Sequence, residues 1–564
     1  MATPDKQLYL DAVAKAMATG LHTLFLEVHA DSASGNEAHL TCGMIYWHRR
    51  FILAYENMLR SLEPRFACLT IPYWDYFSDF AKRTAGFCTT LEGCSTFLSE
   101  FGGSSGPVGS YNFGTTTVTG SNCVSEGVPS GTVLTYTNGT YNQTFTVETN
   151  FSLSNFCQSS TVNASDCWKC MPRSTWMATP FPSGLGYASL TKLISGSFGY
   201  STFAQNLHYG VHNSIHNAAG STMGTLSTSA DPIFYNHHAT IDLVHQMWYD
   251  CQVKRPMTEA EKKNSAYGFA TCSQSPSVAS PSRLANITQF WSSGISRVRA
   301  DDHPVLGAFF SPLPIEYWQY VSSSDLGDYS YTYEKDALLQ SFVDANTAIS
   351  CPAVSKARRV QEVVPIWQQP RALWGVSRDT VREKAVGQIK GLMAKLASMV
   401  VAAIKVSNQD GSSATASEVS SEAVDQMELM ECAWYVEQGN YVDDLTDVYR
   451  ANMNIPSTVH TVCYNLIMKL LSGDESIDVH EWRKVFKAYL LNFASTPTST
   501  SSVVTNTVTS GGALSEEAGV LIGDTDNNNN NNNNNKREPR TFGRRNGIVP
   551  INTAGTALDS TTSS

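Results

Sequence analysis

Residues 231–250 read DPIFYNHHATIDLVHQMWYD, and residues 211–217, shortly before them, read VHNSIHN. Six of the chain's 13 histidines fall in this one region: His208, His212, His216, His237, His238 and His245. If 202–217 is one helix, His212 and His216 project from the same face, one turn apart, with His208 a further turn back. Pro232 then breaks the chain, and NHHATIDLVHQMWYD resumes with a helical pattern. One imidazole from this following helix completes a three-nitrogen site.

A second set of imidazoles lies near the N-terminus. His29 is expected to end the first helix, His39 to lie in the loop HADSASGNEAH (29–39), and His48 to open the helix YWHRRFILAYENMLRSLEP (46–64), which stops before Pro64. His22 is a spare. Two clusters of three or more imidazoles, joined by no acidic cluster or Cys-x-x-Cys, suit copper, zinc, iron or nickel rather than calcium or magnesium. Two such sites facing each other point to a dinuclear centre that handles dioxygen. Burying this many imidazoles without partners is costly, which argues against core histidines.

These stretches resemble a known family. HLTCGMIYWHRRFILAYE (39–56) is similar to the copper A signature of tyrosinases and other type 3 copper proteins, and HNSIH…M…DPIFYNHHATID to their copper B signature. Met223 follows His216 by seven residues, as in the family, and this register excludes the 208/212 pair. The resemblance implies His29, His39 and His48 as ligands of one copper ion, and His212, His216 and His238 as ligands of a second. It also implies Phe234 packed against the copper pair, His237 lining the substrate pocket, Asn213 beside the first copper B ligand, and Asp242 in a structural or supporting contact. PYWDY (72–76) and YSYTYE (329–334) resemble further family landmarks, over roughly residues 8–335. The implied fold is mainly α: a four-helix-bundle core around the copper pair. The implied activity is dioxygen-dependent oxidation of o-diphenols to o-quinones, with or without ortho-hydroxylation of monophenols, as in melanin-type pigment chemistry. A haemocyanin-like dioxygen carrier is the alternative.

Departures from the family refine the expectation. Many tyrosinases place a Glu about two turns before the Asn that follows the first copper B ligand. Here those positions hold Phe203, Ala204 and Gln205. An amide is a poor base, so diphenol oxidation is expected to exceed monophenol hydroxylation. Glu37 stands where some members carry a cysteine cross-linked to the second copper A ligand, so no thioether is expected. No Arg precedes Arg49 to meet the Tyr-x-Tyr motif within residues 329–334.

Composition sets the remaining bounds. The net charge is −11, with no long basic run in the first 500 residues, which argues against nucleic acid as a partner. The longest apolar run, GLMAKLASMVVAAIKV (391–406), is interrupted by Lys395 and too short to span a bilayer. Five Asn-x-Ser/Thr sequons, at Asn138, Asn142, Asn150, Asn163 and Asn286, accompany 13 cysteines and point to a secreted, disulfide-bonded glycoprotein with one unpaired thiol. No signal peptide opens the chain, as expected of a sequence that lacks its natural N-terminus.

Three regions are expected. Residues 1–344 form the dicopper domain, in which 84–185 is a disulfide-bearing insertion with a hairpin around Asn138-Gly139. Residues 345–495 form a helical C-terminal unit, with candidate helices at 376–406, 418–438 and 457–471, that shields or regulates the site. Lys356, Arg358 and Arg359 make its linker a candidate protease site. Residues 496–564, rich in Ser, Thr and Asn, are expected to be disordered. Composition leaves the oligomeric state open.

Overall fold

The computed structural model describes residues 3–113, 116–124, 135–138, 143–146, 171–269, 281–292, 297–335, 339–340, 343, 421–439, 441–479, 481–487 and 548–550. The expected boundary near 345, the candidate protease site and the helix proposed over 376–406 lie outside them.

The chain is mainly α. Its N-terminal part is α1 (Thr3–Ala18), α2 (Leu21–Ala30), α3 (Ser32–Leu40), α4 (Met44–Ser61) and α5 (Tyr76–Thr84). Gly20, with φ +76°, separates α1 from α2, so His29 ends the second helix rather than the first. The stretch expected as a loop after His29 is helix α3. Asp31 caps it, its carboxylate accepting from the N–H of Ala33 (3.0 Å) and Ser34 (3.1 Å). His39 therefore sits in the last turn of a helix.

The second half of the core comprises α6 (Tyr187–Gly196), α7 (Tyr200–Leu207), α8 (Asn213–Ala219) and α9 (Ile233–Gln252). The single helix expected over 202–217 is interrupted. Residues His208–His212 form a π-helical segment in which Gly210 leaves helical geometry (φ −88°, ψ −106°). Helix α9 is buried all round, as a central helix must be, and packs on α4 and α6. Its start is pinned by Asp231, which accepts from Ile233 N–H (3.2 Å) and forms a fully buried ion pair with Arg173 (2.7 Å).

Between α5 and α6 lies the expected insertion. Strands β1 (Val108–Phe113), β2 (Thr116–Val124) and β5 (Met171–Arg173) form an antiparallel sheet in the order β1-β2-β5. Strands β3 (Thr135–Asn138) and β4 (Gln143–Thr146) form the expected hairpin. Cys88 and Cys94 are bonded, and Cys42, Cys123 and Cys251 are also in disulfides. Among the described residues, Cys68 is a free, exposed thiol. A two-stranded ribbon, β6 (Phe290–Ser292) with β7 (Arg297–Arg299), follows further along.

Helices α10 (Ser421–Gly439), α11 (Asp447–Asn452) and α12 (Val462–Ser472) match two of the three helices expected beyond 345 and add α11. The disulfide Cys432–Cys463 ties α10 to α12. Buried residues of α10 and α12 join the same apolar cluster as the N-terminal helices. Strand β8 (Tyr441–Asp443) pairs with β9 (Ile548–Pro550). No helix among the described residues is long and apolar enough to cross a membrane.

Candidate metal centre

Two buried groups of imidazoles face each other at the middle of the bundle. His29, His39 and His48 form one, and His212, His216, His237 and His238 the other; within each, ring nitrogens lie within 4.8 Å of one another. The groups abut directly: the rings of His48 and His238 stack at 3.8 Å, and His39 and His48 each lie 6.4 Å from His212. Phe234 touches both groups, 4.8 Å from His29 and 4.3 Å from His238.

The hydrogen bonds determine the tautomers. The Nδ1 atoms of His29, His39, His48 and His216 each face a backbone carbonyl, of Leu226 (2.8 Å), Gly35 (2.9 Å), Met44 (2.8 Å) and Met223 (2.8 Å) respectively. Nδ1 of His212 faces the side-chain oxygen of Asn213 (2.9 Å). An oxygen that only accepts requires a proton on each Nδ1, so each Nε2 carries a bare lone pair. Those of His39, His212 and His216 are buried without a hydrogen-bond partner. Nε2 of His29 and of His48 approach each other to 3.3 Å with no proton to share. Such convergent, desolvated lone pairs are costly unless a cation lies among them, and fixed Nδ1–H tautomers are how proteins prepare imidazole ligands. Burial, the largest cause in each case, keeps all these rings neutral, with His39 pushed down to about 4 and His216 to about 3. The donor set fits soft or borderline metal ions.

His237 enters the same group as His238, and neither ring nitrogen of either residue has a partner. Tyr76, from the PYWDY landmark, lies 5.8 Å from the His237 ring. His208 is buried 4.9 Å from His212, and His245 instead meets the Arg49 guanidinium (2.9 Å). His22 is a structural link, bonded to the Tyr55 hydroxyl and the Ala230 carbonyl, both at 2.8 Å. Gln205 is only half-buried, whereas Phe203 and Ala204 pack inside.

Two further features frame the site. Asp242 touches no imidazole; it accepts from Arg49 and from the Tyr331 and Tyr333 hydroxyls. Arg49, directly after His48, is thus joined to the Tyr-x-Tyr motif through the Asp242 carboxylate. The second feature is Tyr449 of α11, whose buried hydroxyl donates to the Asn213 side-chain oxygen at 3.0 Å.

A helical core presenting two opposed all-imidazole groups defines a candidate dinuclear metalloprotein. Residues 18–250 match the family model of the common central domain of tyrosinase. Grixazone synthase of Streptomyces griseus is 26% identical over 102 residues, which cover 16% of this chain and 32% of that protein. The tyrosinase of Streptomyces antibioticus is 28% identical over 91 residues, covering 15% and 32%. The chain thus aligns with about a third of the length of these curated relatives. A polyphenol oxidase variant from Thermothelomyces thermophila is 17% identical with a TM-score of 0.32, covering 59% of this chain and 87% of its own.

Proposed function

We propose that this protein is a dicopper oxidase that uses dioxygen to convert o-diphenols to o-quinones. In this reading His29, His39 and His48 hold one ion, and His212, His216 and His238 hold the other. The observation that carries it is the set of five rings whose Nδ1 protons are bonded to oxygen while their Nε2 lone pairs converge, buried. Bound copper supplies the redox chemistry in which two diphenols and one dioxygen give two quinones and two waters.

The protein's own residues position, exclude and orient. Backbone carbonyls fix the tautomers of His29, His39, His48 and His216, and the Asn213 side chain that of His212, so these five rings need no reorganisation to bind an ion. Phe234 keeps water from the space between the two groups. His237 and Asn213 line the approach for a small phenol. The Asn213 oxygen is already engaged by His212 and Tyr449, and no carboxylate stands in the upstream family position, which supports diphenol oxidation over monophenol hydroxylation. Tyr449 places a phenol side chain where a phenolic substrate would approach Asn213, which supports a shielding role for the segment beyond residue 345. The sequons and disulfides support secretion as a glycoprotein.

Copper-reconstituted chain should be assayed with a monophenol and the matching o-diphenol, following oxygen uptake. Faster diphenol turnover is the expected result. Reversible oxygen binding without turnover of either would favour a carrier.

A further inference from the structure

The corner formed by α2 and α3 is gripped by a segment outside the tyrosinase match. Asp31 pairs with Arg297 (2.8 Å), the Ser34 hydroxyl accepts from Phe290 N–H (2.8 Å), and Glu27 accepts from the Trp291 indole. Glu37 accepts twice on one oxygen, from Thr288 N–H (2.7 Å) and from the Tyr317 hydroxyl (2.6 Å). We propose that residues 288–292 and 297–317 act as a strap which, through Glu37, positions His39 for metal binding. The proposal rests on the reading that the first imidazole group holds an ion.

Helix α3 cannot locate His39 by itself. It has nine residues, mostly small and polar, and so short a helix has little stability or apolar surface of its own. The Nδ1 of His39 is held only by the Gly35 carbonyl of the same helix, so the ring goes wherever the helix goes. The other two rings are anchored differently. His29 is bonded to Leu226 of a distant segment, and His48 rides on the long, buried α4.

Glu37 lies two residues before His39 and fixes the end of α3 that carries it. The same strap residue also reaches α4: the Thr288 carbonyl accepts from the Trp47 indole N–H (2.7 Å), and the Gln289 amide donates to the Trp47 carbonyl (3.0 Å). Thr288 thereby joins the helix of His39 to the helix of His48. Gly43, between these helices, allows the close approach of Tyr317, because a Cβ there would lie 2.7 Å from its hydroxyl.

The test uses the full-length, metal-free chain titrated with copper(II), with circular dichroism and melting temperature read on the same samples. Wild type should take up two ions. Glu37→Ala should weaken one ion tenfold or more and leave the other unchanged, and Tyr317→Phe should do so to a smaller extent. Glu37→Gln should restore tight binding, because an amide oxygen can accept both bonds. Two ions held by Glu37→Ala as tightly as by wild type would overturn the proposal. So would equal weakening of both ions with a lowered melting temperature, which marks a purely structural role, or a Gln variant no better than Ala. If Glu37→Ala does not fold, Tyr317→Phe is judged by the same criteria. A wild-type chain that takes up no copper refutes the dicopper reading itself, and the strap's role with it.

Discussion

The Tyr449 hydroxyl donates to the same Asn213 oxygen that faces Nδ1 of His212, linking a residue of α11 to an imidazole of the candidate metal centre through a single side chain. Helix α11 is held in turn by its neighbours. Asn217 accepts from Thr446 N–H (2.8 Å), and Asn452 donates to the Gly224 carbonyl (2.9 Å). Asp444 ties Arg450 and His460 together beneath it.

Removing this ring should open the site. Tyr449→Ala is expected to raise kcat/KM for an o-diphenol at least tenfold while costing about 3 kcal/mol of stability through the cavity it leaves. Tyr449→Phe should keep most of the block, since the ring remains. Steady-state kinetics of the copper-loaded variants, with thermal melts, would check both. An unchanged kcat/KM in Tyr449→Ala would show that α11 is scaffold and not shield.

His237 and His238 are distinguishable by metal content. His238→Ala is expected to lose one of two ions, and His237→Ala to retain both while KM for the phenol changes. The reverse result would move the ligand role to His237. Geometry alone puts the two rings in one group, so this pair is the sharpest test of the family register.

Asp242 is expected to act on stability more than on metal binding. It neutralises Arg49, which is fully buried and also bonded to the Tyr320 carbonyl (2.6 Å). Asp242→Asn leaves that guanidinium without a counter-charge, a loss of about 3–5 kcal/mol. Chemical denaturation of the metal-free variant would measure it. A loss below about 1 kcal/mol would mean that Tyr331 and Tyr333 compensate.

Two opposed pH effects are expected on the metal-free chain. Burial pushes His22 and His39 down to about 4, against 6.5 for a free imidazole. The unfolded chain takes up these protons first, so stability falls as pH drops from about 6.5 toward 4. Glu431 of α10 behaves in the opposite sense. It is buried against the start of α6, where Ala188 N–H points toward it at 3.4 Å, and burial raises it to about 8. Its contribution is complete below about 4.5 and is lost as pH rises toward 8. Melting temperatures from pH 4 to 9 should show both limbs, and Glu431→Gln should flatten only the alkaline one.

The parts of this molecule that could be read from sequence are those with fixed local spacing. His212 and His216 share a helical face because they are four residues apart, and the start of α9 is marked by Asp231-Pro232. Helix α3 went unread because its residues are small and polar, with no apolar period to follow; its one signal was the cap at Asp31. The π segment at His208–His212 left no pattern beyond Gly210. Contacts between distant segments were invisible for a different reason. Nothing local to Tyr449 or Glu37 shows that one reaches Asn213 and the other reaches Thr288, because those meetings depend on the packing of the whole core.

The central claim is most directly tested by the copper content of the reconstituted, extensively dialysed full-length chain. The account expects two ions per wild-type chain and about one in His216→Ala, with diphenol oxidation lost in the variant because one remaining ion cannot do the work of the pair. A wild-type chain that retains one ion or none, or a His216→Ala chain that retains two, would contradict it.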